Sequence, residues 1–180
     1  PWNKEPTAQI ICDLNYGSGA PSPIAPRQVL NNIVEKLKEE NLQAVVAPEL
    51  EFYLCEQNLD PDLPLKTPVG KSGRRETGSR VFGIDAVNEF DALTDDIYDY
   101  CELMEIGVDT LVHESGPSQI EINLNHGDPL ALADQAFMFK RAVRQVALKH
   151  GIHATFMAKP YQGQPGSSMH IHQNLISMKK

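Results

Sequence analysis

Between Arg27 and Glu40, apolar side chains recur at Val29, Leu30, Ile33, Val34 and Leu37. That 3-4 spacing predicts a helix with one buried stripe, its wet side carrying Lys36, Lys38, Glu39 and Glu40. The period returns over Asn88–Ile106, where Phe90, Leu93, Ile97, Tyr100, Cys101 and Met104 share a face. It returns again over Asp128–His150, opened by Asp128-Pro129 as cap and first-turn proline and closed by His150-Gly151. Other stretches alternate. Gln43–Leu54 is β-rich, and in its second half Glu49 and Glu51 project to one face while Leu50 and Phe52 project to the other. Val108–Leu124 forms two alternating segments around Gly116-Pro117-Ser118, a hairpin signal; a two-residue tip at Pro117-Ser118 would set Glu114 opposite Glu121. Thr7–Leu14, Ile152–Ala158 and Ser167–Leu175 complete the predicted strands. Asn58–Gly78 keeps no period and mixes Pro61, Pro64, Pro68, Gly70, Gly73 and Gly78 with Lys71, Arg74 and Arg75, which predicts a long loop of the kind that is commonly functional. The order β-α-β-loop-α-ββ-α-β-β predicts an α/β (α+β) protein, with an antiparallel or mixed sheet and helices on one face, rather than a doubly wound parallel sheet.

The 16 Lys and Arg against 24 Asp and Glu leave a net charge of −8, which argues against a nucleic-acid partner. No apolar run approaches the roughly 20 residues that span a bilayer, and Pro1-Trp2-Asn3-Lys4 lacks the layout of a signal peptide. The expectation is a cytoplasmic protein without a membrane partner. Cys12, Cys55 and Cys101 are odd in number and far apart, as buried free thiols would be. The chain opens on Pro1 and closes on Lys180 just after a strongly patterned segment, which suggests a piece of a longer protein, one domain's worth in its 180 residues.

Acids stand where strands normally bury apolar groups. Glu49 and Glu51, two apart on a strand, lie about 7 Å apart on one face. Taken alone, they are equally a solvated strand face. Glu114 and Glu121 facing each other would destabilise a hairpin unless a cation sat between them, or unless that face were open to water. His170 and His172 share a strand face after Gly163, Pro165, Gly166 and Ser167, a segment whose backbone could approach a ligand closely; ordinary packing or hydrogen bonding also explains such a pair. Together, four carboxylates and an imidazole make a hard, oxygen-rich set suited to Mg²⁺ or Mn²⁺ and unlike zinc sites. Paired divalent cations mainly serve phosphoryl transfer. No Gly-x-x-x-x-Gly-Lys loop is present, and Gly17-Ser18-Gly19 is only a turn.

Pro48-Glu49-Leu50-Glu51-Phe52, His113-Glu114 with Gln119 and Glu121, and Lys159-Pro160 running to Gly166-Ser167-Ser168-Met169-His170-Ile171-His172-Gln173 resemble, in that order, successive signatures of the glutamine synthetase catalytic domain. The resemblance covers essentially the whole chain, and three stretches, Ala47–Tyr53, Ile84–Phe90 and His126–Asp134, look closest to the γ-glutamylpolyamine (γ-glutamylputrescine) synthetase branch. It implies a curved, mostly antiparallel sheet with helices on its outer face. Residues 1–180 would be the N-terminal part of the catalytic domain, without the β-grasp domain that precedes it and the C-terminal part that follows. It implies an ATP-dependent ligase that phosphorylates the γ-carboxylate of glutamate and passes the acyl group to ammonia or, in this branch, to a primary amine. The alternatives are a true glutamine synthetase and a catalytically inactive structural or regulatory member. By the resemblance, Glu51, Glu114 and Glu121 would hold one metal and Glu49 and His170 a second. His172 and Gln173 would contact the nucleotide, and the backbone of Gly166 would line the glutamate pocket. A ring-shaped homo-oligomer with sites shared between subunits is also implied. Two positions depart from the family pattern: Pro165-Gly166 replaces a common Asn-Gly, and Asn174 stands where serine commonly follows His-Gln.

Overall fold

The computed structural model describes residues 1–179. Its elements are α1 (Pro26–Glu39), β1 (Leu42–Glu56), α2 (Ile84–Asn88), α3 (Asp91–Leu103), β2 (Val108–His113), β3 (Gln119–Leu124), α4 (Pro129–Lys149), β4 (Ile152–Thr155) and β5 (Met169–Ser177). The five strands form one sheet in the order β2-β3-β1-β4, with β5 also on β1. All four pairings are antiparallel. Glu49 pairs with Asn123 on one edge of β1 and with His170 on the other, while Tyr53 pairs with Gln119 and Thr155. Thus β4 and β5 share one edge of β1 end to end, and the segment between them crosses the gap beside residues 51–52.

Strand alternation divides the sheet cleanly. Leu50, Phe52 and Leu54 of β1 and Ile120, Ile122 and Leu124 of β3 bury against Leu93, Ile97 and Cys101 of α3 and Phe139, Val143 and Val146 of α4. The odd-numbered residues, Glu49, Glu51, Tyr53, Gln119 and Glu121, face the other way. The predicted placement of helices on one face of an antiparallel sheet is therefore observed. α4 begins as expected: the Asp128 side chain accepts from the N–H groups of Leu130 and Ala131, and Pro129 occupies the first turn.

Several local expectations are corrected. Thr7–Leu14 is not a strand; Ile10 and Leu14 are exposed and this segment meets no sheet edge. Cys12 lies in it and is exposed, whereas Cys55 and Cys101 are buried and free. Burial pushes their thiols up, to about 11 and about 12. α1 has no fully buried residue, and Val29 and Ile33 of its apolar stripe are exposed. The helix predicted over Asn88–Ile106 is α3, shorter at both ends, and a separate short helix, α2, precedes it across Glu89-Phe90. The hairpin register also differs: His113 pairs with Ile120 and Val112 with Glu121, and the Glu114 N–H donates to the Gln119 carbonyl at 2.8 Å. The connection is the four-residue run Ser115–Ser118, in which Ser118 takes φ 57°. Proline cannot adopt the positive φ that a two-residue hairpin turn asks of its first residue, so the turn widens.

Candidate functional site

Register alone gathers the acids. Glu51 lies directly opposite Glu121, and Glu49 directly opposite His170. Glu114 stands beside Gln119 at the end of the hairpin, so it joins the same face without opposing Glu121 as expected. One ligand atom each from Glu49, Glu121 and His170 falls within 4.8 Å of the others. His170 Nδ1 is 3.5 Å from one Glu49 oxygen and 3.9 Å from a Glu51 oxygen, and His172 Nε2 is 2.8 Å from the other Glu49 oxygen. The tight trio thus draws from both of the metal sets that the resemblance implies. His172 shares this face with His170, while alternation puts Gln173, opposite Val46, on the helix side of β5.

The face is electrostatically strained. Partial burial raises the Glu121 carboxyl above its ordinary value, and the charges of Glu49, Glu114 and Glu51 raise it further, with only His170 opposing. A surplus of carboxylate oxygens with imidazole at the margin fits a hard divalent cation. Glu51 is only 8% exposed and is fully engaged: the Ser168 hydroxyl donates to one oxygen, and the Ser168 N–H (3.2 Å) and Gln119 Nε2 (3.0 Å) donate to the other.

The segment between β4 and β5 lies against this face. Tyr53 Oη donates to the Pro165 carbonyl at 2.8 Å, and Gln119 Nε2 to the Gly166 carbonyl at 3.0 Å. A Cβ on Gly166 would stand 2.7 Å from the Ala158 carbonyl oxygen, so only glycine passes there undisturbed. Burial, with Glu51 and Glu114 nearby, pushes the Tyr53 phenol up to about 12. From below the hairpin, His113, 1% exposed, meets the Glu114 carbonyl through Nδ1 (2.7 Å) and the Glu76 carboxylate through Nε2 (2.9 Å). Glu76 also accepts from the Ser118 N–H, which ties the 58–78 loop to the turn that presents Glu114.

Sequence patterning singled out no role for Tyr53, Gln119, Ser168 or Glu76. Strand alternation places Tyr53 with Glu49 and Glu51, and Gln119 with Glu121; that signal was in the sequence. Nothing local marks Glu76, which sits in an aperiodic loop. A concavity of about 1050 Å³ between residues 1–10 and α3–α4 is lined by none of these residues.

A sheet that carries helices on one face and a converging acid cluster on the other defines a class, and the family comparison names it. Residues 23–180 match the glutamine synthetase catalytic domain, and the chain belongs to that family. It is 44% identical over 173 residues to the γ-glutamylputrescine synthetase PuuA of Escherichia coli, covering 95% of this chain and 36% of that protein. It is 32% identical over 188 residues to a glutamate–isopropylamine ligase of a Pseudomonas species (99% and 38% covered), and 36% identical over 174 residues to a glutamine synthetase of Thermus thermophilus (94% and 36%). Among solved structures, ligand-free GmaS superposes with a TM-score of 0.76 at 26% identity, over 92% of this chain and 37% of that one. The chain therefore spans little more than a third of the length of these relatives.

Proposed function

We propose that the protein carrying this chain is an ATP-dependent ligase that joins the γ-carboxylate of glutamate to a primary amine, a polyamine among the candidates. In this reading residues 1–180 are the N-terminal part of the catalytic domain. The observation that carries it is the convergence of Glu49, Glu51, Glu114, Glu121 and His170 on one sheet face. The choice of amine over ammonia is supported by likeness to the γ-glutamylputrescine synthetase and the glutamate–isopropylamine ligase.

Glu51, Glu114 and Glu121 would hold one Mg²⁺ or Mn²⁺, and Glu49 with His170 a second. When bound, such cations neutralise the phosphate oxygens and the glutamate carboxylate, two anions that otherwise repel. His172 would contact ATP on the acid face, which Gln173, turned to the helix side, does not share, and the Gly166 backbone would line the glutamate pocket. The γ-phosphoryl group of ATP passes to the γ-carboxylate, giving γ-glutamyl phosphate and ADP. The amine then attacks the carbonyl carbon; a C–N bond forms, the C–O bond to phosphate breaks, and phosphate leaves. The amine must first lose a proton, and an acidic face both attracts the ammonium form and accepts that proton. We place the protein in the cytoplasm, as a homo-oligomeric ring in which neighbouring subunits complete each site. The wholly exposed β5 supports further chain or subunit contacts there.

The test is phosphate release by the full-length protein with glutamate, ATP and Mg²⁺ as the amine is varied. Turnover with putrescine, spermidine or a monoamine well above that with ammonia is expected. Preference for ammonia would make it a glutamine synthetase, and no turnover with any amine would leave the inactive structural member.

A further inference from the structure

We infer that Gln119 is a positioning residue that couples the Glu51 carboxylate to the 163–168 loop, so that one side chain sets both divalent-cation affinity and glutamate binding. The inference rests on the ligase proposal. Gln119 is completely buried, and a buried amide is costly unless its donors and acceptor are met. Its Oε1 accepts from the Gly116 N–H at 2.9 Å, while Nε2 donates to Glu51 and to the Gly166 carbonyl, each at 3.0 Å. Flipping the amide would turn its oxygen onto a carboxylate and a carbonyl, so these partners fix its orientation. One end of the amide therefore fixes the turn beside Glu114, and the other fixes a proposed metal ligand and the loop proposed to line the glutamate pocket.

Other bonds tie the same loop to the sheet, the Glu51 N–H to the Ser168 carbonyl at 3.1 Å among them, but none spans all three parts. Tyr53 holds only Pro165, and Ser168 holds only Glu51. Without Gln119 the Gly166 carbonyl would lose its donor, and Glu51 would keep only the bonds from Ser168, which moves with the loop. The cation and glutamate sites would then loosen together.

The experiment compares unaltered full-length enzyme with Gln119→Met and Ser168→Ala, reading glutamate KM, kcat, Mn²⁺ affinity by isothermal titration, and thermal unfolding. Gln119→Met is expected to weaken Mn²⁺ binding about fivefold or more and to raise glutamate KM about tenfold. ATP KM should change much less. Ser168→Ala, which leaves Gly166 bonded to Gln119, is expected to weaken Mn²⁺ binding while glutamate KM stays within about twofold. A Gln119→Met protein that melts normally but shifts only one of the two quantities, or neither, overturns the inference. Should that variant not fold, Gln119→Glu keeps the shape and the acceptor for Gly116 and offers at most one donor, so it cannot serve Glu51 and Gly166 together; unchanged Mn²⁺ affinity and glutamate KM then overturn it. If the unaltered enzyme binds Mn²⁺ without turnover, the ligase proposal fails alone, and Mn²⁺ and glutamate affinities, both read by titration in Gln119→Met, decide the coupling. If it neither turns over nor binds Mn²⁺, both fall.

Discussion

Replacing Glu121 by Gln separates what the carboxylate cluster costs the fold from what it contributes to cation binding. Glu49 and Glu121 offer oxygens within 4.8 Å of each other. Unit charges at that separation repel by about 3.5 kcal/mol at an effective dielectric near 20, and by about 1 kcal/mol in water. The cluster is partly exposed, so screening favours the lower figure. Glu121→Gln keeps the shape and removes the repulsion, so the metal-free variant should be more stable than the parent by about 1 kcal/mol, or roughly 2–4 °C in Tm. The gain should depend on pH. The folded-state pKa of Glu121 lies above its ordinary 4.5, so the penalty is complete above the folded value and fades as pH falls toward 4.5. Mn²⁺ reverses the order: a cation held at about a hundred times its Kd adds about 2.7 kcal/mol to the parent. The variant should lose most of that increment. Thermal melts with and without Mn²⁺ check both signs. A metal-free variant less stable than the parent, or one that gains as much from Mn²⁺, would refute the reasoning.

Asp96 of α3 accepts from Lys149 at 2.8 Å and faces His150, and the Lys149 hydrogen bond is the main cause holding its carboxyl below the ordinary 3.8. A lowered carboxyl contributes stability above its unfolded value and loses it as pH falls through the folded one. Asp96→Asn should therefore cost about 0.5–1 kcal/mol at neutral pH and nothing in strong acid, measured by urea titration at both. Gly116→Ala would drive a Cβ to 1.9 Å from Tyr53 Oη, a buried side chain anchored at Pro165; a loss of about 1–3 kcal/mol is expected by urea unfolding. Glu76→Met removes the one oxygen that meets both His113 Nε2 and the Ser118 N–H, and should cost about 1–3 kcal/mol. Limited proteolysis should then cut the 58–78 loop faster than in the parent.

The layered fold was legible because its signals are periodic: α4 carries cap, first-turn proline and stripe in one stretch, and β1 alternates where its two faces differ most. The gathering of acids on one face was legible for a related reason, since acids at alternate positions of apolar strands conflict with burial. The hairpin register was not. It depends on backbone angles at Pro117 and Ser118 that the hydrophobic pattern does not encode, and the widened turn moved Glu114 from opposite Glu121 to beside Gln119. Thr7–Leu14 misled because an apolar run becomes a strand only if a sheet edge is available to it. Glu76 escaped because its partners, His113 and Ser118, are long-range contacts of an aperiodic loop.

The position of the site follows from how the partners of β1 change along its length. Its N-terminal half is laddered to β5 and its C-terminal end to β4, while β3 covers Glu49–Tyr53 on the opposite edge. Glu49 and Leu50 are the β1 residues, among those described, with ladder partners in both β3 and β5. Around these positions the β1 carboxylates of Glu49 and Glu51 are joined by Glu121 from one side and His170 from the other. One residue further on, β5 has ended and β4 has not begun, so Glu51 meets a loop instead of a strand: its N–H donates to the Ser168 carbonyl, and its carboxylate accepts from Ser168. A gap in the ladder thus brings loop backbone, held by hydrogen bonds from Tyr53, Gln119 and Glu51, against the acid face. A one-residue slip of β1 would turn Glu49 and Glu51 into the helix layer and Leu50 out of it, so burial of Leu50, Phe52 and Leu54 enforces the register that chemistry requires.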